Sequence, residues 1–314
     1  MSVHVSIIIP CFNEANSIDL LYTALSKELV SFHQPVEILF IDDGSSDGTL
    51  VKIKSLQQVG NIKIRYISFS RNFGKEAAML AGMQFASGEY IAIMDADLQD
   101  DPHLLIPMYE AVRYRGYDCA AVRRVSRKNE PRIRSFFARH FYKVMGKLTQ
   151  VSAIDGERDY RMMTRQMVDA VLSLQECTRY SKGLFSWVGF RTIWIDENYS
   201  ERAAGKTKWS FRKLCLYAID AITGFSTVPL AVASFIGMFL FFLSIVGIAI
   251  TIIRQLIWGG SAYGWSSLVC IILLISGIQL FCIGILGQYL AKTFTEVKNR
   301  PAYIIREQSD DKKE

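Results

Sequence analysis

Two long uncharged stretches near the C-terminus constrain this chain more than any other feature. Between Pro229 and Ile253 there is no Asp, Glu, Lys or Arg, and after Arg254 none appears until Lys292. About 20 consecutive apolar residues are enough to cross the hydrocarbon layer of a bilayer. The pattern therefore predicts two membrane helices, near residues 229–253 and 266–290. Two buried helices of a soluble core are the competing reading, but uncharged segments of this length are rare there. Up to about Thr227 the chain reads as a soluble, charged α/β sequence. Four parts are expected: an α/β domain over 1–200, a basic loop and juxtamembrane amphipathic helix over 201–228, the two spans within 229–291, and a tail over 292–314.

Lys and Arg placement orients the spans. Arg202, Lys206, Lys208, Arg212 and Lys213 precede the first, and Lys292, Lys298, Arg300 and Arg306 follow the second. The short connection holds little beyond Arg254 at its edge. By the positive-inside rule both termini are expected in the cytoplasm and the linker outside. The start, Met1-Ser2-Val3-His4, lacks a basic region and its apolar run ends at Pro10, so it does not read as a signal peptide. Six cysteines (11, 119, 177, 215, 270 and 282) include no Cys-x-x-Cys pair. That suits a reducing compartment and speaks against disulfides or zinc. The chain carries a net charge of +6, and its basic residues cluster close to the membrane part. Acidic lipid or phosphate fits that placement better than nucleic acid.

In the N-terminal domain, Val3–Pro10, Val36–Ile41, Ile62–Phe69, the run through Ile93, and Cys119–Val122 read as strands. Helices are expected to about Leu29, near 49–58, over 75–86 and over 102–115. Continuous apolar strands alternating with helices indicate a mostly parallel sheet covered on both faces. Such sheets bind ligands beyond the carboxyl ends of their strands. Polar residues collect there: Asn13 and Glu14, Asp42 and Asp43, Arg71 and Asn72, Asp95 and Asp97. Neither G-x-G-x-x-G nor G-x-x-x-x-G-K-[ST] occurs, which speaks against an ordinary dinucleotide or P-loop site.

The sharpest candidate is the stretch Ile91-Ala92-Ile93-Met94-Asp95-Ala96-Asp97-Leu98-Gln99-Asp100. Carboxylates two residues apart on a strand share a face. At a strand end they can hold one hard divalent cation, and Mg²⁺ keeps only one or two carboxylates beside water and phosphate oxygens. That suits a nucleotide diphosphate. Asp100 or Asp101 can also cap a helix that begins at Pro102, and the two readings are compatible. A carboxylate ending the second strand can accept from a base N–H or a ribose hydroxyl. Asp42-Asp43-Gly44-Ser45 reads equally as a turn that caps the next helix.

From Arg123 to Lys147 there are nine Lys or Arg and one acid, Glu130. Taken as a helix from Pro131, Arg132, Arg139, Lys143 and Lys147 form a stripe opposite Phe137, Phe141, Val144, Met145 and Leu148. This suits an interfacial helix against anionic headgroups, or a solvated face. Asp155-Gly156-Glu157-Arg158 reads as a polar loop before Asp159-Tyr160-Arg161, whose charges can be simple structural pairing. The loop Tyr199–Trp209 offers Gly205, Lys206 and Lys208 to a phosphate, or serves as a positive flank. An amphipathic helix over 211–225 follows.

Taken in order, Ile-Ile-Ile-Pro-Cys-Phe-Asn-Glu (7–14), Ile-Asp-Asp-Gly-Ser-Ser-Asp-Gly-Thr (41–49), Ser-Arg-Asn-Phe-Gly-Lys-Glu-Ala-Ala (70–78) and Asp-Ala-Asp-Leu-Gln-Asp (95–100) resemble the family 2 glycosyltransferases. Within them the chain is similar to the polyisoprenyl-phosphate glycosyltransferases, which include dolichol-phosphate mannose synthase and the bactoprenol glucosyltransferases. Gly183–Gly189, Gly205–Trp209 and the apolar pair look most like the bactoprenol branch.

The resemblance implies a GT-A fold, a Rossmann-like, mostly parallel α/β sheet, followed by interfacial helices and a two-helix transmembrane hairpin in a bacterial plasma membrane. It implies transfer of a sugar, glucose by branch, from UDP-glucose to a polyprenyl phosphate such as undecaprenyl phosphate. Asp95, Asp97 and Gln99 would hold Mg²⁺ or Mn²⁺. Pro10, Asn13, Glu14, Asp42, Asp43, Arg71, Lys75, Asp95, Ala96 and Gln99 would bind the nucleotide sugar. Arg123, Arg132, Arg134, Arg139, Arg202 and Lys206 would receive the lipid phosphate. Asp97, Asp159 and Arg123 would be catalytic. Asp159 matches the aspartate of a Gly-Asp-Phe-Arg-like motif, with Arg158 in the glycine's place. A second copy of the chain, a flippase and a downstream glycosyltransferase are the further partners implied. A phosphomonoester with its second pKa near 6 is already an anionic nucleophile, so single displacement with inversion and no strong base is expected. Two other readings are a processive polysaccharide synthase, whose Gln-x-x-Arg-Trp motif is absent here, and an inert membrane scaffold of the same fold.

Overall fold

The structure, a computed structural model, describes residues 3–30, 32, 34–124, 156–176, 179–197, 226–258 and 264–309. The expected basic helix from Pro131, the loop 199–209 and the amphipathic helix over 211–225 lie outside the described residues. The chain forms two compact units, Met1–Phe211 with Arg300–Glu314, and Arg212–Asn299.

The first unit is an eight-stranded sheet with helices on both faces. Its elements are β1 (Val5–Cys11), α1 (Ile18–Leu29), β2 (Val36–Asp42), α2 (Thr49–Ser55), β3 (Ile62–Phe69), α3 (Lys75–Phe85), β4 (Tyr90–Ile93), α4 (Leu105–Tyr114), β5 (Cys119–Arg124), β6 (Glu157–Thr164), α5 (Arg165–Leu172), α6 (Ser181–Trp187), β7 (Thr192–Glu197) and, after the apolar helices, β8 (Ile305–Gln308). The strand order is β7-β5-β6-β4-β1-β2-β3-β8. β4, β1, β2 and β3 run parallel, as do β5 and β7; β6 and β8 are antiparallel to their neighbours.

Alternation along the strands divides their side chains between two apolar layers. Ile7, Ile9, Ile38 and Phe40 join α1 and α4 in one layer. Ile8, Leu39, Ile41 and Ile93 join α3 in the other. Double coverage is why these strands read as unbroken apolar runs.

Three features go beyond the sequence reading. The helix expected over 102–115 opens with a 3-10 turn, Pro102–Leu104, in which Asp101 accepts the His103 N–H at 3.0 Å. Glu157 and Arg158 are not loop residues but begin β6. Periodicity hides this strand because its charges are cancelled inside: Arg161, 1% exposed, pairs with Glu157 at 2.8 Å and lies 4.0 Å over the Phe185 ring. The segment beyond residue 292, which has no strand signal, supplies β8.

The second unit contains α7 (Val228–Trp258) and α8 (Trp265–Val297). Both are long and apolar enough to cross a membrane. Phe235, Phe239, Leu243, Ile271, Phe281 and Leu290 are exposed on them, an apolar surface that suits lipid better than water. The Tyr289 hydroxyl of α8 donates to the Ser226 carbonyl at 2.5 Å, just ahead of α7.

Candidate active site

The carboxyl ends of β1, β2 and β3 carry three interlocked loops. Asn13 adopts a left-handed φ of 56°. Its N–H donates to the Ser45 hydroxyl and its side-chain oxygen accepts the Ser46 N–H, both at 2.9 Å. Asp42 is buried and accepts from the Ser68 hydroxyl at 2.7 Å and the Ser45 N–H at 3.1 Å. Asp43 accepts the Phe73 and Gly74 N–H groups at 2.6 and 2.9 Å. Burial raises the Asp43 carboxyl above its usual range while those two N–H groups oppose the shift. Gly44 is required where it stands: its φ is +68°, and an added Cβ would lie 2.4 Å from the Arg71 carbonyl carbon. Both aspartates thus spend acceptors on building the rim, as the turn reading expects.

The centre of the site is set by sheet register. β6 runs antiparallel to β4, the last pair being Ile93 with Arg161, and Asp95 and Asp159 each stand two residues beyond that pair. Lys75, at the start of α3, reaches both, at 2.5 Å from Asp95 Oδ1 and 2.6 Å from Asp159 Oδ2. Lys182 of α6 donates to the Glu157 carbonyl at 2.9 Å and lies 3.9 Å from Asp159. Glu76 fixes α6 by accepting the Ser181 N–H at 3.0 Å and its hydroxyl. Burial works against ionisation of Asp159, but Lys75 and Lys182 outweigh it and hold the carboxyl well below the usual carboxylate range. Burial likewise works against the Lys75 charge, and the carboxylates of Asp95 and Asp159 raise its pKa despite that. These are fixed charges near neutral pH.

Arg158 ties the Asp-x-Asp turn down. Its guanidinium lies 3.0 Å from Asp100, 3.0 Å from Glu197 and 2.9 Å from the Gln99 carbonyl. Asp100 accepts the Asp95 N–H at 2.8 Å, and Asp97 accepts the Gln99 N–H at 3.1 Å. Leu98 between them takes a φ of 59°. In the glycine's place the arginine builds the turn.

A cleft of about 260 Å³ opens among Asp95, Gln99, Arg124, Gly156, Glu157, Arg158, Asp159 and Lys182. Among the described residues, no group of three or more His, Cys, Asp or Glu could hold a metal ion by itself. Asp95, whose Oδ1 pairs with Lys75, and Asp97, two residues on, are carboxylates of the type a hard divalent cation takes beside water and phosphate oxygens.

The structure brings Lys75, Asp95, Gln99 and Asp159 together around the cleft. Asn13, Glu14, Asp42, Asp43 and Arg71 stand along the neighbouring rim, with Pro10 inside β1 and Ala96 buried. Arg123 is turned to Asp196, at 2.5 Å, while its neighbour Arg124 lines the cleft. Arg132, Arg134, Arg139, Arg202 and Lys206 lie outside the described residues. Lys182 and Arg124 were not singled out from sequence. Lys182 directly precedes the Gly183–Gly189 motif, and Arg124 differs from Arg123 only by which way the strand faces.

Fold and site together define a GT-A-type domain, a doubly covered, mostly parallel sheet with an acidic pair at its carboxyl rim. The profile of Glycosyl transferase family 2 matches residues 6–172. The chain is 41% identical to the putative glycosyltransferase CsbB of Bacillus subtilis (strain 168), over 96% of this chain and 91% of that protein. It is 38% identical to the bactoprenol glucosyl transferase of Shigella phage SfII, over 96% and 97% of the two chains. Among solved structures, glucosyl-3-phosphoglycerate synthase from Mycobacterium tuberculosis, in complex with Mn²⁺, UDP-glucose and phosphoglyceric acid, gives a TM-score of 0.47 at 18% identity, covering 70% of this chain and 78% of that one. The chain belongs to glycosyl transferase family 2 and is a glycosyltransferase.

Proposed function

We propose that this protein transfers a glucosyl group from UDP-glucose to a polyprenyl phosphate in a bacterial plasma membrane, with inversion and without a glycosyl-enzyme intermediate. One observation carries the choice of acceptor. Asp159, the carboxylate at the centre of the site beside Asp95, is clamped by Lys75 and Lys182 and held far below the neutral range. Such a group is a poor base for a sugar hydroxyl, which favours a nucleophile that arrives already ionised. A lipid phosphomonoester does, since its second pKa is near 6. The 38% identity to a protein named bactoprenol glucosyl transferase supports the same acceptor.

In this reading Asp95 and Asp97 would hold Mg²⁺ or Mn²⁺, which when bound would supply Lewis-acid stabilisation of the departing nucleotide. The loops built by Asn13, Asp42, Asp43 and Arg71 take the nucleoside end of the donor. Arg124 and Lys182 face the incoming phosphate and offset repulsion between two anions. Asp159 orients Lys75 and Lys182 and moves no proton. Membrane attachment is supported by α7 and α8. The basic flanks support a cytoplasmic placement of the sheet unit.

Membranes containing the protein, supplied with radiolabelled UDP-glucose, Mn²⁺ and undecaprenyl phosphate, should form a chloroform-soluble, mild-acid-labile monosaccharide product. Polymer instead, or label released only as free sugar, contradicts the proposal.

A further inference from the structure

Residues 300–309 follow the second apolar helix, yet they belong to the sheet unit. β8 pairs with β3 so that Phe69 lies against Ile305, Ser68 against Glu307 and Ile67 against Gln308. The antiparallel sense brings the incoming end of β8 to the carboxyl end of β3, where the loop carrying Arg71 and Lys75 starts. There the Ser70 N–H donates to the Ile304 carbonyl at 2.9 Å. One residue earlier, the Tyr303 ring stacks on Phe69 with centroids 4.8 Å apart and planes 13° from parallel. Phe69 meets Phe73 edge-on at 5.9 Å, and the Arg71 guanidinium sits 4.0 Å from the centre of the Phe73 ring. The Tyr303 hydroxyl also reaches the Gln84 side chain of α3. At the far end, Lys54 pairs with Glu307 at 2.7 Å and the Ser309 N–H donates to the Tyr66 carbonyl at 2.9 Å.

The loop over 70–75 is therefore held from two sides. Asp43, just beyond β2, holds it by accepting the Phe73 and Gly74 N–H groups. From the other side a continuous row, Tyr303–Phe69–Phe73–Arg71, holds it through ring contacts. We propose that Tyr303 and β8 are positioning elements of the donor site: the segment that returns from the apolar helices keeps Arg71 and Lys75 in the geometry that receives a nucleoside diphosphate. The inference rests on reading this rim as the nucleotide-sugar site. Without β8 the Ser70 N–H loses its partner and Phe69 its cover, and the loop must be ordered each time donor binds. Ordering on binding lowers affinity. A version that stops before the apolar helices would keep every cleft carboxylate and still bind donor weakly, because the missing strand lies beyond them in the chain.

The test uses the full chain in detergent micelles, with UDP and Mn²⁺ binding followed by calorimetry and transfer from UDP-glucose to undecaprenyl phosphate followed by rate. Tyr303→Ala should raise the UDP Kd and the donor KM up to about tenfold, the worth of a well-packed aromatic pair, with kcat changed less than about twofold. Tyr303→Phe, which keeps the ring stack, should recover most of that loss. Amide exchange at Ser70 should quicken in the alanine variant while the β1 and β2 amides stay protected. Wild-type protein that binds no nucleoside diphosphate overturns the donor-site reading and this inference with it. Wild type that binds UDP while Tyr303→Ala binds it equally well overturns the inference alone. So does an alanine variant that loses kcat and thermal stability with its donor KM unmoved.

Discussion

Replacing Arg158 by methionine removes the cation that joins Asp100, Glu197 and the Gln99 carbonyl. Breaking a buried ion pair from one side costs about 3–5 kcal/mol when the remaining charge stays uncompensated. Asp100, 1% exposed, has a way to discharge. Burial and the nearby Asp95 carboxylate push it up to about 7, with Arg158 opposing them. At pH 7 it therefore takes up a proton at little cost, and the loss is confined to the charge-assisted contacts with Glu197 and Gln99, about 3 kcal/mol. The pH dependence follows from linkage. A carboxyl raised in the folded state contributes stability that is complete below its unfolded value, about 4, and is lost as pH climbs to its folded value. That decline ends near pH 7 in the wild type, where Asp100 ionises beside Arg158. In the variant the carboxyl titrates higher and the decline continues, at about 1.4 kcal/mol per pH unit. At pH 8.5 the deficit should therefore exceed its pH 7 value. With about 2–4 °C per kcal/mol for a unit of this size, the sheet unit's Tm should fall by about 6–12 °C at pH 7 and clearly further at pH 8.5. Scanning fluorimetry in detergent without added metal reads both values. A deficit equal at the two pH values, or below about 2 °C, refutes the reasoning.

Three further outcomes are expected. Asp95→Ala should abolish metal-dependent transfer; turnover near the wild-type level removes Asp95 from the donor site. Asp159→Asn should lower kcat by about 10²-fold through lost electrostatic order, yet leave the pH–rate profile between about 6 and 9 unchanged, since Lys75 and Lys182 hold Asp159 ionised throughout that range. Loss of an acidic limb in that variant would instead mark Asp159 as the base. Gly44→Ala should cost about 1–2 kcal/mol from its left-handed backbone alone and, by pushing back the Arg71 carbonyl, raise the donor KM; an unaltered KM would show that the Arg71 loop has no part in donor binding.

Much of the sheet unit was legible in the chain. Strands buried on both faces are mostly apolar, and β1 and β4 announce themselves that way, with β2, β3 and β5 less cleanly because they carry Glu37, Lys63, Arg65, Arg123 and Arg124. The Asp-x-Asp turn was legible because strand ends in such sheets collect ligand groups. β6 and β7 were not, because they carry Glu157, Arg158, Asp159, Arg161, Asp196 and Glu197. Charged strands become tolerable only when partners from distant segments neutralise them, as Lys75 does for Asp159 and Arg123 for Asp196. The choice between Arg123 and Arg124 was out of reach for a simpler reason. Adjacent residues on a strand face opposite ways, and only the assembled sheet says which way is the cleft.

Local pattern, then, determined what each segment could become: apolar runs long enough for a bilayer, strands made to be covered twice, and an acid pair suited to a cation. Those properties depend on spacing over a few residues, so they survive in a linear reading. Which charges meet was decided in three dimensions. Lys75, Asp95, Asp159 and Lys182 come from four separate segments, and with β6 paired to β4 a single lysine bridges the two aspartates. Tyr303 reaches Phe69 only because the chain returns to the sheet after both apolar helices. Contacts made across such separations leave no mark on the neighbouring sequence, because their energy belongs to the pair and appears only when the fold closes the distance.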